Sequence, residues 1–184
     1  MDLIVFLLII GAVFGFLVSK IYNSLNSLEG RVKRNLSGVD VVLEERHNTI
    51  KKLKAVVTQE KKNLREQFER LADLIEHSGA SKGNPKEYFE TENKISLIWT
   101  QTLELPEIQQ VKGFEKLSDS IIDIEQEISA ARRTYNASVE RFNNELGSFP
   151  SGFVAQLLFK RFESKEFFKA TEQTRKDVDL ENWS

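Results

Sequence analysis

The chain has 184 residues, 40% of them apolar, with a net charge of −2, three prolines and no cysteine. This length allows one domain of ordinary size and an anchor, and the near-neutral charge provides no basic field that would attract nucleic acid. The missing cysteine excludes disulfides, thiolate metal sites, cysteine nucleophiles and a lipidated cysteine, while the few prolines favour helices over a sandwich of strands.

An uncharged apolar run occupies residues 3–19 and reads LIVFLLIIGAVFGFLVS. As a helix it extends roughly 25 Å, which is at the short end of what crosses a hydrocarbon core. A secretory signal peptide carries basic residues before its apolar run and a small-x-small cleavage site after it. Asp2 precedes this run instead, and residues 17–20 match a cleavage site poorly. We therefore predict an uncleaved transmembrane anchor over residues 1–20.

The charges that flank the apolar run predict its orientation. Lys20, Arg31, Lys33 and Arg34 follow the run, and no Lys or Arg precedes it. All four lie within about 15 residues of the span, the distance over which such charges count. The positive-inside rule then predicts a single-pass protein of the cell membrane, with its N-terminus outside and its body in the cytoplasm. The lipid bilayer is the first predicted partner.

Gly11 and Gly15 form a G-x-x-x-G pattern inside the span. Two glycines at this spacing remove side-chain bulk from one face, so that two helices approach closely. The pair is a candidate site for association of membrane helices into a homo-oligomer. The alternative is that glycine is simply common in membrane helices.

Apolar residues continue beyond the span at steps of three and four, with one additional four-residue step from Val32 to Leu36, and this spacing predicts a helix that, if unbroken, runs from Lys20 to Glu76. Gly30 and Gly38 each lower helix propensity by about 1 kcal/mol relative to Ala and mark candidate bends. Such a long helix needs long partner helices to cover it. The residues that carry the spacing include Ile21, Leu25, Leu28, Val32, Leu36, Val39, Leu43, Ile50, Leu53, Val57, Leu64, Leu71 and Leu74.

The second half of the chain predicts three more helices. SGASKGNP at residues 78–85 reads as a loop, and a medium helix is expected over residues 86–102. Pro106 opens a long helix that ends at residues 147–150, because proline's missing donor costs nothing in a first turn. A short apolar helix over residues 151–159 follows. The apolar stripe of the long helix comprises Phe114, Leu117, Ile121, Ile124, Ile128, Ala131, Tyr135, Ser138 and Phe142.

These elements predict an all-α protein, in which a transmembrane helix precedes an antiparallel bundle with coiled-coil-like seams. The bundle has three long or medium helices and a short C-terminal helix. The predicted domains are the anchor over 1–20, the bundle over 21–162, and a polar, poorly ordered tail over 163–184.

The sequence resembles the LemA family over residues 22–168. Tyr22-Asn23 looks like the family's opening, and the stretch from Val39-Asp40-Val41 to Arg46-His47 is similar to its first-helix motif. The strongest block comprises Glu125, Ile128, Ala131-Arg132, Tyr135-Asn136, Val139, Asn143, Phe149-Pro150 and Ala155. The resemblance implies an N-terminal membrane helix and a cytoplasmic antiparallel bundle in a bacterial cell. It implies little about activity, because the family's molecular role is poorly defined.

The chain departs from the family's pattern at a few positions. Glu45 replaces one residue of a basic pair before His47, and Leu105 stands where an aromatic residue normally precedes Pro106. These departures concern surface-dependent functions more than the fold.

Several family-motif positions are expected to have structural roles, because polar side chains at helix seams usually fix the register between helices. A binding role is the alternative for the polar ones among them. The positions are Asp40, Arg46, Arg132, Tyr135, Asn136, Asn143, Phe149 and Pro150.

Glu44 and His47 form the best metal candidate, an E-x-x-H pair on one helix. Di-iron bundles bring two such pairs together, but the other histidine, His77, has Leu74 three residues before it. No G-x-S-x-G pattern or phosphate-binding glycine loop is present either. We therefore predict no metal, no cofactor and no enzymatic activity.

The sequence thus predicts a non-enzymatic single-pass membrane protein whose cytoplasmic bundle acts as a scaffold or interaction module. Self-association and an unidentified protein partner are expected, and nucleic acid is not. The alternative is a metal- or ligand-binding bundle that uses Glu44 and His47.

Overall fold

The computed structural model describes residues 2–57, 62–111 and 114–169. Within these ranges the chain forms six helices and no strand. This confirms the predicted all-α class and the long apolar N-terminal helix. The helices are α1 (Asp2–Val57), α2 (Lys62–Ser81), α3 (Pro85–Leu103), α4 (Pro106–Gln109), α5 (Phe114–Gly147) and α6 (Ser151–Leu158).

Helix α1 carries the apolar run and continues without a break through Gly30 and Gly38 to Val57. The prediction that the same helix extends to Glu76 is wrong. A straight helix would separate His47 and Ser78 by roughly 45 Å, yet both side chains contact the carboxylate of Glu92. The chain direction therefore reverses between α1 and α2.

The loop predicted over residues 78–85 is shorter in the structure, because α2 continues through Ser81. Ser78 and Ser81 are buried, and the Ser81 hydroxyl donates to the Ser78 carbonyl at 3.1 Å. Only residues 82–84 separate α2 from α3, which begins with Pro85 in its first turn. This short connection makes α2 and α3 an antiparallel hairpin.

The long helix predicted from Pro106 is divided in the structure. Pro106 opens the short helix α4, and the long helix α5 begins at Phe114. Helix α5 ends at Gly147, and α6 occupies most of the predicted stretch 151–159. The two helices approach closely, since a Cβ atom at Gly152 would meet the carbonyl oxygen of Leu146. The Phe149–Pro150 peptide bond between them is cis.

The chain divides into two compact units. The first combines residues 1–38 with 133–167, and the second combines residues 39–132 with 168–184. The second unit has a core to which α1, α2, α3, α4 and α5 all contribute. Its fully buried members include Ile50, Leu53, Val57, Leu64, Phe68, Leu71, Ile95, Trp99 and Ile108.

The core of the first unit brings α1, α5 and α6 together with the segment after α6. Its buried side chains are Leu25, Val32, Val139, Phe142, Val154, Ala155 and Phe162, with Tyr135 among them. Tyr135 and Phe142 belong to the stripe that the sequence predicts for the long helix.

Residues 163–169 differ from the predicted poorly ordered tail. In the first unit, the Asn143 side chain donates to the Lys165 carbonyl at 2.9 Å and accepts from the Lys165 amide at 2.8 Å. The Tyr135 hydroxyl donates to the Glu166 carbonyl at 2.8 Å. In the second unit, Phe168 is buried and stacks on Phe89 with ring centroids 4.2 Å apart. Residues 170–184 of the predicted tail lie outside the described residues.

Replacing Asn143 by Ala should release the extended segment, because both hydrogen bonds to the Lys165 backbone are lost. We expect a loss of about 1–3 kcal/mol in unfolding free energy and faster hydrogen exchange at the Lys165 amide. Exchange measured by mass spectrometry tests this. Asn144→Ala is the matched control, because Asn144 is the exposed neighbour. Equal exchange in both variants would contradict the prediction.

Candidate functional site

An ion pair lies in the apolar interior of the second unit. Arg46 on α1 and Glu92 on α3 are 1% and 0% exposed, and their Nη2 and Oε2 atoms are 2.7 Å apart. Arg46 Nη1 also donates to the Ser96 hydroxyl at 2.6 Å. Moving two charges out of water is expensive, and such a pair is stable only when further partners satisfy both groups. The surrounding side chains supply partners for the Glu92 carboxylate and for both terminal nitrogens of Arg46, whereas the buried Arg46 Nε atom has no hydrogen-bond partner among the described residues.

The Glu92 carboxylate is shared among three helices. The Ser78 hydroxyl on α2 donates to its Oε1 atom, and His47 Nε2 on α1 lies 3.1 Å from the same oxygen. Burial alone would raise the pKa of Glu92. The hydrogen bonds from His47 and Ser78 and the charge of Arg46 outweigh burial and hold this pKa below its ordinary value. Glu92 is therefore ionised at neutral pH.

Helix α5 adds a second arginine to the site. Arg132 Nη2 donates to the Ser96 hydroxyl at 3.3 Å, and its guanidinium lies 4.1 Å from the ring centre of Phe168. Glu125 Oε1 lies 3.7 Å from Arg46 Nη1. Burial and the charge of Arg46 lower the pKa of Arg132 to about 10, so this side chain stays charged at neutral pH.

Tyr88 and Asp40 extend the site along α3 and α1. The buried Tyr88 hydroxyl donates to Asp40 Oδ1 at 2.7 Å. Burial and the carboxylate of Asp40 raise the pKa of Tyr88 well above its usual range, so the phenol remains a neutral donor. Because the pairs 40–88 and 46–92 follow the same order, α1 and α3 run in the same direction within this unit.

We call these side chains the charged core. It consists of Asp40, Arg46, His47, Ser78, Tyr88, Glu92, Ser96, Glu125 and Arg132. The ionic and hydroxyl groups bond mainly to each other, which suits them to hold α1, α2, α3 and α5 in one register.

A cavity of about 210 Å³ borders the charged core and contains the predicted E-x-x-H pair in its lining. His47 Nε2 contacts Glu92, not Glu44. Within the described ranges, no group of three or more His, Asp and Glu side chains is placed to hold a metal ion. The other residues that line the cavity include Asp40, Asn48, Lys51, Ile75, Ser78, Lys82 and Tyr88.

A larger cavity of about 360 Å³ lies in the first unit, between α1 and α5. Arg31, Arg34 and Arg141 line it, together with Asn35 and Thr134. The Asn35 amide donates to the Thr134 carbonyl at 3.4 Å across its wall. Three guanidinium groups suit this cavity to anionic groups such as carboxylates or phosphates.

The structure places the remaining predicted site residues in the first unit. Tyr135 and Asn143 bind the extended segment after α6, and Asn136 is half-buried on α5. Phe149 and Pro150 form the turn before α6, where the Phe149 ring is 88% exposed.

Gly11 and Gly15 lie on the exposed surface of α1. A Cβ atom built at either position would meet nothing within 4 Å. The Ser19 hydroxyl donates to the Gly15 carbonyl at 2.9 Å, so this polar side chain is satisfied within its own helix. The glycine face is therefore open to a second helix.

Glu92, Ser78, Ser96 and Tyr88 are members of the charged core that the sequence analysis did not identify. The sequence does mark Glu92 as a core position, because this residue belongs to a series of positions that recur at steps of three and four along α3. The buried members of that series are Tyr88, Glu92, Ile95, Trp99 and Thr102. A carboxylate at a core position of an amphipathic helix predicts a buried partner of opposite charge.

The family model described as "LemA family" matches residues 35–181, which is most of the chain. This match confirms the resemblance seen in the sequence. No curated protein matches the chain.

Replacing Arg46 by Met should destabilise the fold by about 3–5 kcal/mol, because the Glu92 carboxylate would remain buried without its main countercharge. Denaturant unfolding of the detergent-solubilised chain measures this loss. Adding Glu92→Met to Arg46→Met should recover much of it, since neither charge is then buried.

The exposed pair Arg65–Glu69 offers a matched control, with side chains 60% and 51% exposed. Arg65→Met should cost less than about 1 kcal/mol, because solvent screens exposed pairs. An Arg46→Met loss no larger than that of Arg65→Met would show that the buried pair does not stabilise the fold.

The stability of the protein should fall with acidification, in part because of Glu92. Its pKa is lower in the folded chain than its ordinary value of 4.5, so the unfolded chain binds its proton first as pH decreases. The stabilisation is complete above the ordinary pKa and is lost as pH falls through the folded pKa. Glu92→Gln should therefore show a flatter dependence of unfolding free energy on pH between about pH 5 and pH 3. Glu69→Gln should keep the native slope, and equal slopes for all three proteins would contradict this prediction.

Proposed function

The chain belongs to the LemA family, and on this premise we propose that it is a non-enzymatic single-pass membrane protein whose helical bundle acts as a scaffold or interaction module. The main support for this proposal is that α1 is one continuous helix. The helix that holds the apolar run continues through Val57 and supplies both core residues and Arg46 to the bundle. On this proposal, the anchor and a folding element of the bundle are parts of one helix.

The exposed surface of the apolar run supports a membrane anchor. Leu3, Phe16 and the other large side chains between them are roughly half exposed or more. A helix that is apolar on all sides and uncovered by protein would be unfavourable in water, and lipid removes this cost. The positive-inside rule favours a cytoplasmic bundle and an external N-terminus.

Self-association through the anchor is supported by the open glycine face. In lipid, helices associate through close packing and not through a hydrophobic driving force, and small residues permit that packing. Gly11 and Gly15 offer such a face, while Ser19 directs its donor back to its own helix. The proposed partner at this face is a second copy of the chain.

The chemistry of the charged core supports a structural role. Its most buried members, Arg46 and Glu92, bond to each other and to neighbouring side chains. The alternative, a metal- or ligand-binding bundle that uses Glu44 and His47, depends on the smaller cavity. Titrating the purified chain and its Glu44→Gln variant with Zn²⁺ or Fe²⁺ distinguishes the two. Stoichiometric binding that the substitution abolishes would favour the alternative.

Exchanging both Gly11 and Gly15 for Ile should lower the assembly state of the detergent-solubilised full chain, because the branched side chains prevent close approach of two helices. Light scattering gives the mass. The matched control is Ala12→Ile with Phe16→Ile, which changes two positions at the same spacing on another face of α1. This control should keep the native mass.

An unchanged mass for the variant with Gly11→Ile and Gly15→Ile would show that the glycine face does not mediate assembly. A monomeric native protein would remove self-association from the proposed function and favour an adaptor that recruits a different protein.

A further inference from the structure

Helix α6 presents an apolar face that no other part of the described chain covers. Phe153 and Leu157 are each 63% exposed, Leu158 is 49% exposed, and Phe149 just before the helix is 88% exposed. Phe153 and Leu157 are four residues apart and so lie on one face. The opposite face, with Val154 and Ala155, is buried in the first unit. This is the pattern of a short helix between a protein core and an apolar surface.

The end of α6 lies beside the end of the membrane span. The Tyr22 ring packs on Phe159 and Phe162 with centroids 5.0 and 5.9 Å away, and Arg161 donates to Asn26 at 2.7 Å. Tyr22 is three residues beyond Ser19, the last residue of the apolar run, which is an advance of about 4.5 Å along α1. The polar layer on each side of a bilayer is about 5–8 Å thick. A bilayer that the apolar run of α1 spans would therefore place Phe159 at the depth of its headgroups.

The beginning of α6 lies at the same level of the first unit. Thr134 on α5 is level with Asn35 on α1, and further along α5 Phe142 contacts Phe162, which contacts Tyr22. Helix α5 thus runs back toward the span. From Thr134 to Gly147 it advances about 20 Å, the same as α1 from Asn35 to Tyr22. Both ends of α6 therefore lie near the level of Tyr22 on α1.

We propose that α6, together with Phe149, is a second membrane-contacting element that inserts its apolar face into the leaflet next to which the bundle lies. This inference rests on the proposed function, since it requires that the apolar run of α1 spans the bilayer. Interfacial helices bury their apolar faces about 5–10 Å into the boundary between headgroups and acyl chains. A bilayer fits this face better than a second protein does, because the contacts of Phe159 and Phe162 with Tyr22 place the end of α6 beside the end of the apolar run of α1.

The side chains next to the apolar face fit a headgroup environment. Tyr22 is amphipathic, and Lys20, directly after the apolar run, and Lys160, just beyond the end of α6, are exposed. Aromatic and basic residues are typical of membrane–water interfaces. Two contacts with one leaflet, through α1 and α6, would fix how the first unit is oriented on the membrane, which a single span does not.

The cysteine-free chain permits a direct test with one introduced label. The full-length variants Phe153→Cys, Ile10→Cys and Val41→Cys, each carrying the fluorophore NBD, are reconstituted in phosphatidylcholine–phosphatidylglycerol vesicles with and without doxyl-labelled lipids. Ile10 lies within the span, and Val41 is 67% exposed on α1 in the second unit. We expect lipid quenchers to reduce emission at positions 10 and 153 but not at 41, with shallow quenchers the more effective at 153.

Two results would overturn the inference and leave the anchor intact. One is quenching at position 10 without quenching at 153, and the other is a blue-shifted but unquenched label at 153, which would assign the face to protein. An unquenched label at position 10 would instead overturn the proposed function, and this inference with it. Adding Phe149→Ser and Leu157→Ser to the Phe153→Cys variant should diminish quenching at 153 while quenching at position 10 is kept in the matching Ile10→Cys variant.

Discussion

The buried ion pair between Arg46 and Glu92 is the constraint on which the packing of the second unit depends. A charge in an apolar core is tolerated only where its partners are all in place. The partners of Glu92 come from α1 and α2, and Ser96 of the same α3 also meets Arg132 from α5. A shift of α1 against α3 by one turn would separate the two charges, and a shift of α2 would remove the Ser78 donor from Glu92. Apolar contacts are compatible with several registers of α1 against α3, and the ion pair favours one of these registers.

In the first unit, side chains of α5 hold the segment after α6, which has no regular secondary structure, against the helices. An extended chain has backbone groups that no helix satisfies, and side chains must pair with them. Asn143 does so with both ends of its amide, as a neighbouring strand would, and Tyr135 supplies a further donor. These two family-motif residues thus explain why the chain after α6 remains packed although its sequence is polar.

Apolar periodicity predicts most of the helical residues, but neither the reversal of chain direction between α1 and α2 nor the separation of α4 from α5. The three-four spacing passes through residues 58–61, a stretch without Gly or Pro, so nothing in the pattern marks a reversal. Ser78 and Ser81 led to the opposite error, because serine is typical of loops and here both serines lie inside α2. The Ser78 hydroxyl bonds to Glu92, and the Ser81 hydroxyl bonds to the backbone carbonyl of Ser78. The sequence predicts seam positions for Asp40, Arg46 and Arg132, but not for Glu92. A carboxylate is tolerated in a core only beside suitable partners, and the partners of Glu92 are distant in sequence.

Several polar residues that carry the family resemblance are bonded within the protein, so the resemblance says little about partners. Asp40, Arg46 and Arg132 direct their polar groups into the charged core, and Asn143 bonds to its own chain. Residues used in this way preserve an architecture, and they are not available to recognise another molecule. On the proposed function, recognition of a partner depends on exposed positions, and Glu45, where the chain departs from the family's basic pair, is one of them. The proposed function therefore allows two chains with the same bundle to bind different partners through different exposed residues.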